Sequence, residues 1–110
     1  MTSDAPAPPV WHLYLVRTRF DTLYTGIATD VERRFAEHRD GRQGARYLRA
    51  KGPLELVYRV KIGEHGLALR AEHRLKQLPK AAKENVVATK LRRKALLVRL
   101  GLDQQSSAEA

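Results

Sequence analysis

The stretch Trp11-His12-Leu13-Tyr14-Leu15-Val16-Arg17-Thr18-Arg19-Phe20-Asp21-Thr22-Leu23-Tyr24-Thr25-Gly26 decides the fold. Trp11 to Thr18 is apolar and rich in β-branched and aromatic residues, which predicts a strand. Arg19-Phe20-Asp21-Thr22 carries a turn, and Leu23 to Gly26 resumes the strand, so the chain opens with a hairpin. Directly opposed residues in a hairpin share a face. Tyr14 and Tyr24 therefore lie on one face only if paired positions sum to an even number. That requires an odd loop, such as Arg19-Phe20-Asp21 closed by Thr18 and Thr22. A two-residue loop would send the two rings to opposite faces.

Working outward, Thr29 and Glu32 have the spacing of a capping box, which predicts a helix starting at Asp30 and running to about Arg39, with Gly41 as its stop. Gly41, Gly44, Gly52 and Pro53 mark a basic loop over 40–53. Leu54 to Ile62 reads as a third strand, with Leu54, Leu56, Tyr58, Val60 and Ile62 on one face. A second helix is expected over Leu67 to Leu78, with Ala68, Ala71, Leu75 and Leu78 on one face. Pro79 ends it and suits the first position of another helix. Residues 80–88 and 90–100 also read as helical, with Gly101 closing the last. The expected class is α+β: a three-stranded antiparallel sheet flanked by helices, a β-β-α-β-α core followed by C-terminal helices.

The two ends differ from this middle. Residues 1–10 are rich in Pro and Ala, and 103–110 hold Gln, Ser, Ala and acids, so both are expected as disordered tails around one domain at 11–102. No apolar run approaches the ~20 residues that span a bilayer. Met1 to Val10 has no charged region followed by an apolar one, as a secretory signal requires. The absence of cysteine excludes a disulfide scaffold, a thiolate zinc site and a cysteine nucleophile, and fits a reducing cytoplasm. The net charge of +9, from 21 Lys and Arg against 12 Asp and Glu, suggests a polyanionic partner: DNA, RNA or an anionic membrane surface, with nucleic acid favoured.

Four short patterns carry the chemistry. They are His12-Leu13-Tyr14, Tyr24-Thr25-Gly26, the stretch from Thr29 to His38, and Ala68-Leu69-Arg70-Ala71-Glu72-His73-Arg74-Leu75-Lys76. In this order and at these spacings they resemble the GIY-YIG nuclease superfamily, which includes excision-repair nuclease subunits and homing endonucleases. The nearer resemblance is to its small single-domain bacterial branch, and it covers about residues 11–88. The resemblance implies a compact three-stranded antiparallel sheet with a hydrolytic site on one face, and a divalent-metal-dependent endonuclease acting on DNA. Tyr14 and Tyr24 match the two signature tyrosines, and Gly26 the glycine after the second. Arg34 matches the helix arginine, His38 the histidine or tyrosine one turn later, and Glu72 the single metal-binding glutamate. The late asparagine of the superfamily has one candidate, Asn85.

The residues support such roles. Arg34 and His38 are four apart and share a helix face beside the Val31 and Phe35 stripe, at the edge of the core. A guanidinium suits a phosphate whose charge grows during attack. Glu72 borders the buried stripe of its helix and suits Mg²⁺ or Mn²⁺, with water and phosphate completing the shell. Its ordinary alternative is an i,i+4 ion pair with Lys76. Ionising Tyr14 at pH 7 from a reference pKa of about 10 costs roughly 4 kcal/mol. Whether Tyr14 takes the proton of the attacking water or only positions that water, the sequence leaves open. Arg42, Arg46, Arg49, Lys51 and Lys76 could track phosphates, with Tyr47 available to stack on a base. The expected substrate is DNA, with RNA as the second candidate. High sequence specificity would need a protein partner, and the rival reading is a non-catalytic nucleic-acid-binding module on the same fold.

Overall fold

The computed structural model describes residues 7–40 and 52–102. Its elements run β1 (Trp11–Arg17), β2 (Leu23–Ala28), α1 (Val31–Asp40), β3 (Glu55–Gly63), α2 (His65–Lys76), α3 (Lys80–Thr89) and α4 (Arg93–Arg99). The three strands form one antiparallel sheet in the order β2-β1-β3, so the architecture is the expected α+β. The expected tails fall, apart from residues 7–10, outside the described residues. Among the described residues, no helix is long and apolar enough to cross a membrane.

The turn has the odd length that the tyrosines require. Thr18 and Thr22 close it, with the Thr18 N–H donating to the Thr22 carbonyl at 2.9 Å and the two hydroxyls 2.7 Å apart. Asp21, the third loop residue, is left-handed at φ 64°. A three-residue loop of this kind is a type I turn followed by one left-handed residue, where Asp is tolerated better than most side chains. The resulting register pairs Tyr14 with Gly26 and Val16 with Tyr24, which puts both tyrosines on one face.

Alternation splits the core in two. Leu13 and Leu15 face one way and join Tyr58, Ile62, Ala68, Ala71, Leu75, Val86, Leu96 and Leu97. Tyr14 and Val16 face the other and pack with Ala28 and Val31, backed by Tyr24, Phe35, Leu54 and Leu56. Thus α1 covers one face of the sheet, and α2, α3 and α4 cover the other.

Three expectations need correction. The third strand does not keep its five apolar residues on one face. Its register against β1 shifts between Leu15 and Val16, so Tyr58 pairs with Leu15 but Leu56 pairs with Val16. Val57 is the extra residue of a β-bulge, which turns Leu54 and Leu56 over to the α1 face and leaves Tyr58 and Val60 on the other. Strict alternation cannot anticipate an inserted residue. The cap of α1 is Asp30, whose carboxylate accepts the Arg33 N–H at 3.1 Å, and not the Thr29–Glu32 box. Glu32 instead pairs with Arg59 at 3.0 Å. Pro79 is the N-cap of α3 and not its first helical residue.

Candidate nuclease site

Tyr14 is the centre of the α1 face. It is 1% exposed, and its ring lies over Gly26. A Cβ placed on Gly26 would stand 2.5 Å from both Cζ and the hydroxyl of Tyr14, so only glycine fits opposite this phenol. The close approach at Gly26 is made by the tyrosine ring.

The phenol ends on His38. The Tyr14 hydroxyl and His38 Nε2 share a hydrogen bond of 2.9 Å, and the Tyr24 ring stands edge-on to the imidazole at 5.5 Å between centroids. His38 lies one turn beyond Arg34 on α1, as its spacing required, but it is 3% exposed and so sits deeper than the core edge. Burial, followed by the Arg34 charge, holds its pKa below the ordinary histidine value, with Glu37 opposing. The imidazole is therefore neutral at neutral pH. Burial, followed by the neighbouring Tyr24, pushes the Tyr14 phenol up to about 12, against the lowering effect of Arg34. At pH 7 its ionisation then costs about 7 kcal/mol, more than the reference value implies.

Arg34 is fixed by Glu37, whose carboxylate accepts from Nη1 at 2.9 Å and also pairs with Arg33 at 3.5 Å. That hydrogen bond is the main reason the Arg34 pKa is raised. Thr29, Asp30, Arg33, Arg34 and Glu37 line a cleft of about 210 Å³ at the start of α1. Glu37 was not singled out in the sequence, although its position three residues after Arg34 was a usable signal.

Glu72 comes from α2, which packs on the opposite sheet face, and acts on Tyr14 through its charge, the smallest contribution to the phenol's shift. Its side chain is 19% exposed and pairs with Lys76 at 3.3 Å. Among the described residues, no group of three His, Cys, Asp or Glu could hold a metal ion. The donors present fit a different kind of site. Glu72 offers one hard carboxylate oxygen. Thr25 Oγ1, buried on the sheet face that α2 covers, has no hydrogen-bond partner among the described residues. A single carboxylate suits a divalent cation held mostly by water and phosphate oxygens, not a complete protein cage.

The structure thus brings Tyr14, Tyr24, Gly26, Arg34 and His38 into one cluster and sets Glu72 within reach of its charge. Lys76 is the ion-pair partner of Glu72. Arg42, Arg46, Arg49 and Lys51, with Tyr47, lie outside the described residues. Asn85 is engaged elsewhere, its side-chain oxygen accepting from Arg99 at 3.3 Å.

Residues 10–85 match the GIY-YIG catalytic domain. The chain belongs to the GIY-YIG family, a nuclease superfamily. Within it, the chain is similar to bacterial UPF0213 proteins. It is 53% identical over 90 residues to one from Klebsiella pneumoniae subsp. pneumoniae, covering 82% of this chain and 84% of the relative. It is 56% identical over 78 residues to UPF0213 protein YhbQ of Escherichia coli (strain K12), covering 71% and 77%. The solution NMR structure of a UPF0213 protein from Bacillus halodurans is 34% identical, covers 74% of this chain and 85% of that one, and has a TM-score of 0.49.

Proposed function

We propose that the protein is a divalent-metal-dependent endonuclease that hydrolyses phosphodiester bonds in DNA, structure-directed or weakly sequence-specific. The observation that carries this reading is the buried Tyr14–His38 hydrogen bond beneath Arg34. A tyrosine whose pKa is about 12 is a poor base on its own. Bonded to a neutral imidazole, it becomes a relay. With the ring proton on Nδ1, His38 Nε2 accepts the Tyr14 O–H. As an attacking water gives its proton to the Tyr14 oxygen, the phenol's own proton passes to Nε2, and the positive charge lands on His38 instead of a negative charge on Tyr14. General-base help of this kind is worth roughly 100- to 10,000-fold.

Arg34, held by Glu37, presents a fixed guanidinium to the phosphate oxygens as their charge grows. Tyr24 packs against the imidazole and holds its ring plane. Glu72, now paired with Lys76, would hold Mg²⁺ or Mn²⁺. The ion, when bound, supplies Lewis-acid stabilisation of the phosphoryl charge. Lys76 and the cations at 42, 46, 49 and 51 would contact flanking phosphates, and a protein partner would supply any high sequence specificity.

A panel of labelled single-stranded, duplex, flapped and branched DNA, with RNA beside it, tests the reading. It is incubated with Mg²⁺, with Mn²⁺ and with EDTA. Metal-dependent cutting is expected, lost in Glu72→Gln, Tyr14→Phe and Arg34→Ala. Nucleic-acid binding without cutting, unaltered by the three substitutions, leaves a binding module on this fold and ends the catalytic reading.

A further inference from the structure

The family match ends at residue 85, and the stretch of chain beyond it is charged in one sense only. Residues 85–102 contain Lys90, Arg92, Arg93, Lys94 and Arg99 and no Asp or Glu. The bend between α3 and α4 is fastened to β3 at two points. The Tyr58 hydroxyl donates to the Leu91 carbonyl at 2.6 Å, and Arg93 Nε donates to the Ile62 carbonyl at 2.8 Å. Between the bend and the bulged β3 edge is a pocket of about 250 Å³, lined by Leu56, Val57, Tyr58, Arg59 and Lys90.

Lys90 is the anomaly. It ends α3 in the left-handed conformation, φ 51° and ψ 54°, at the cap position where glycine is the usual residue. Any cation in the last helical turn gains from the helix dipole. That gain does not require the one position where a side chain is disfavoured by about 1 kcal/mol. Among the described residues, no carboxylate pairs with Lys90, whereas Arg59 on the opposite wall is held by Glu32 at 3.0 Å.

We infer that this β3-edge pocket is a second nucleic-acid contact, taking a phosphodiester of the bound strand on Lys90 and Arg59 with the attached sugar or base over Leu56 and Val57. The occupant is set by charge complementarity, since the pocket carries two cations, Lys90 and Arg59, beside Leu56 and Val57, and every charged residue from 86 to 102 is positive. The inference rests on the nucleic-acid reading above. It adds a grip in which Lys90, beyond the matched segment, faces β3 residues within it.

Lys90→Gly is the informative substitution, because glycine fits the left-handed cap while removing the charge. Binding of the full chain to a short labelled DNA duplex is followed by fluorescence anisotropy across a salt series. Single-turnover cutting is measured at saturating DNA, and thermal melting is recorded. The expected result is a melting temperature at or above wild type and an unchanged single-turnover rate. Binding should weaken roughly three- to tenfold at ~0.1 M salt, and the log K against log salt slope should shrink by about 0.9. Wild-type affinity and slope in the glycine variant overturn the inference. So does a Lys90-dependent loss seen with phosphatidylserine vesicles and not with DNA, which assigns the pocket to a lipid surface. A wild-type protein that binds the duplex with the expected Lys90 dependence but never cuts it keeps this contact and removes only the catalytic reading.

Discussion

Gly26 is the smallest residue of the cluster and the one with least freedom to change. The ring of Tyr14 occupies the space of its missing side chain, and the backbone on both sides is locked in the β1–β2 ladder. Gly26→Ala is expected to push the Tyr14 hydroxyl away from His38. Overpacking of this kind costs about 1–3 kcal/mol, so a lower melting temperature should accompany a cutting rate reduced roughly 100-fold or more. The titrating pair makes a second prediction. His38 has a folded pKa below its unfolded value, so stability is present above pH 6.5 and is lost as the pH falls toward the folded value. Tyr14 is the reverse. Its contribution is complete below pH 10 and is lost as the pH rises from 10 to about 12, a swing of about 3 kcal/mol. Cutting should rise with pH through the depressed His38 value and then stay flat to pH 9. Denaturation midpoints against pH for wild type and His38→Gln check the first, and a pH–rate profile checks the second. At this scale the sequence was informative where one residue type does one job. Tyr14, Arg34 and His38 stood at legible spacings. The reason glycine sits at 26 was not legible, because it depends on which ring the register places across the ladder.

Among elements, the hairpin turn sets the site. Its three-residue loop fixes the parity that brings Tyr14 and Tyr24 to one face, and this demand could be stated from the sequence alone. What braces the turn could not, since it comes from a helix about sixty positions away. Glu84 on α3 accepts two hydrogen bonds from Arg17, at 2.7 and 2.8 Å, and Lys80 donates to the Asp21 carbonyl at 2.6 Å. The Arg17 guanidinium holds the Glu84 carboxyl down at about 2. That stabilisation is present above the unfolded carboxylate value and is lost as pH falls through about 2. Glu84→Gln should lower stability by roughly 1 kcal/mol, as half-exposed ion pairs do, and should flatten the acid limb of the stability profile while leaving the cutting rate at saturating DNA unchanged. Equilibrium urea melts at pH 7 and pH 3 measure both effects. The β3 bulge was hidden for a different reason. Leu54, Leu56, Tyr58, Val60 and Ile62 alternate faultlessly in sequence, yet one inserted residue, Val57, sends the first two to the face that carries Tyr14.

At the scale of the molecule, the family segment and the folded unit do not coincide. The match stops at 85, but Leu96, Leu97, Leu100 and Leu102 of the C-terminal part are buried in the larger core beside Leu13, Leu15 and Leu75. Arg74 Nη1 also donates to the Leu100 carbonyl at 2.9 Å, tying α2 to that end. A chain cut after residue 90 loses four buried leucines at roughly 2–5 kcal/mol each, comparable with the whole stability of a small domain. It should show no cooperative thermal transition by circular dichroism, whereas a chain ending at residue 103 should melt as wild type. The +9 charge pointed to a polyanion from the sequence alone. Where those charges stand depended on the packing of α3 and α4 against β3, which no local pattern encodes.

The relay itself is tested most directly by the single-turnover cutting rate of Tyr14→Phe beside wild type, with Mg²⁺ and DNA saturating and DNA affinity measured in parallel. Affinity should be unchanged and the rate lower by roughly 100- to 10,000-fold, because the phenylalanine ring fills the same space and only the relay oxygen is gone. A Tyr14→Phe protein that cuts at the wild-type rate would refute the relay, for the buried phenol would then be packing and the chemistry would lie elsewhere.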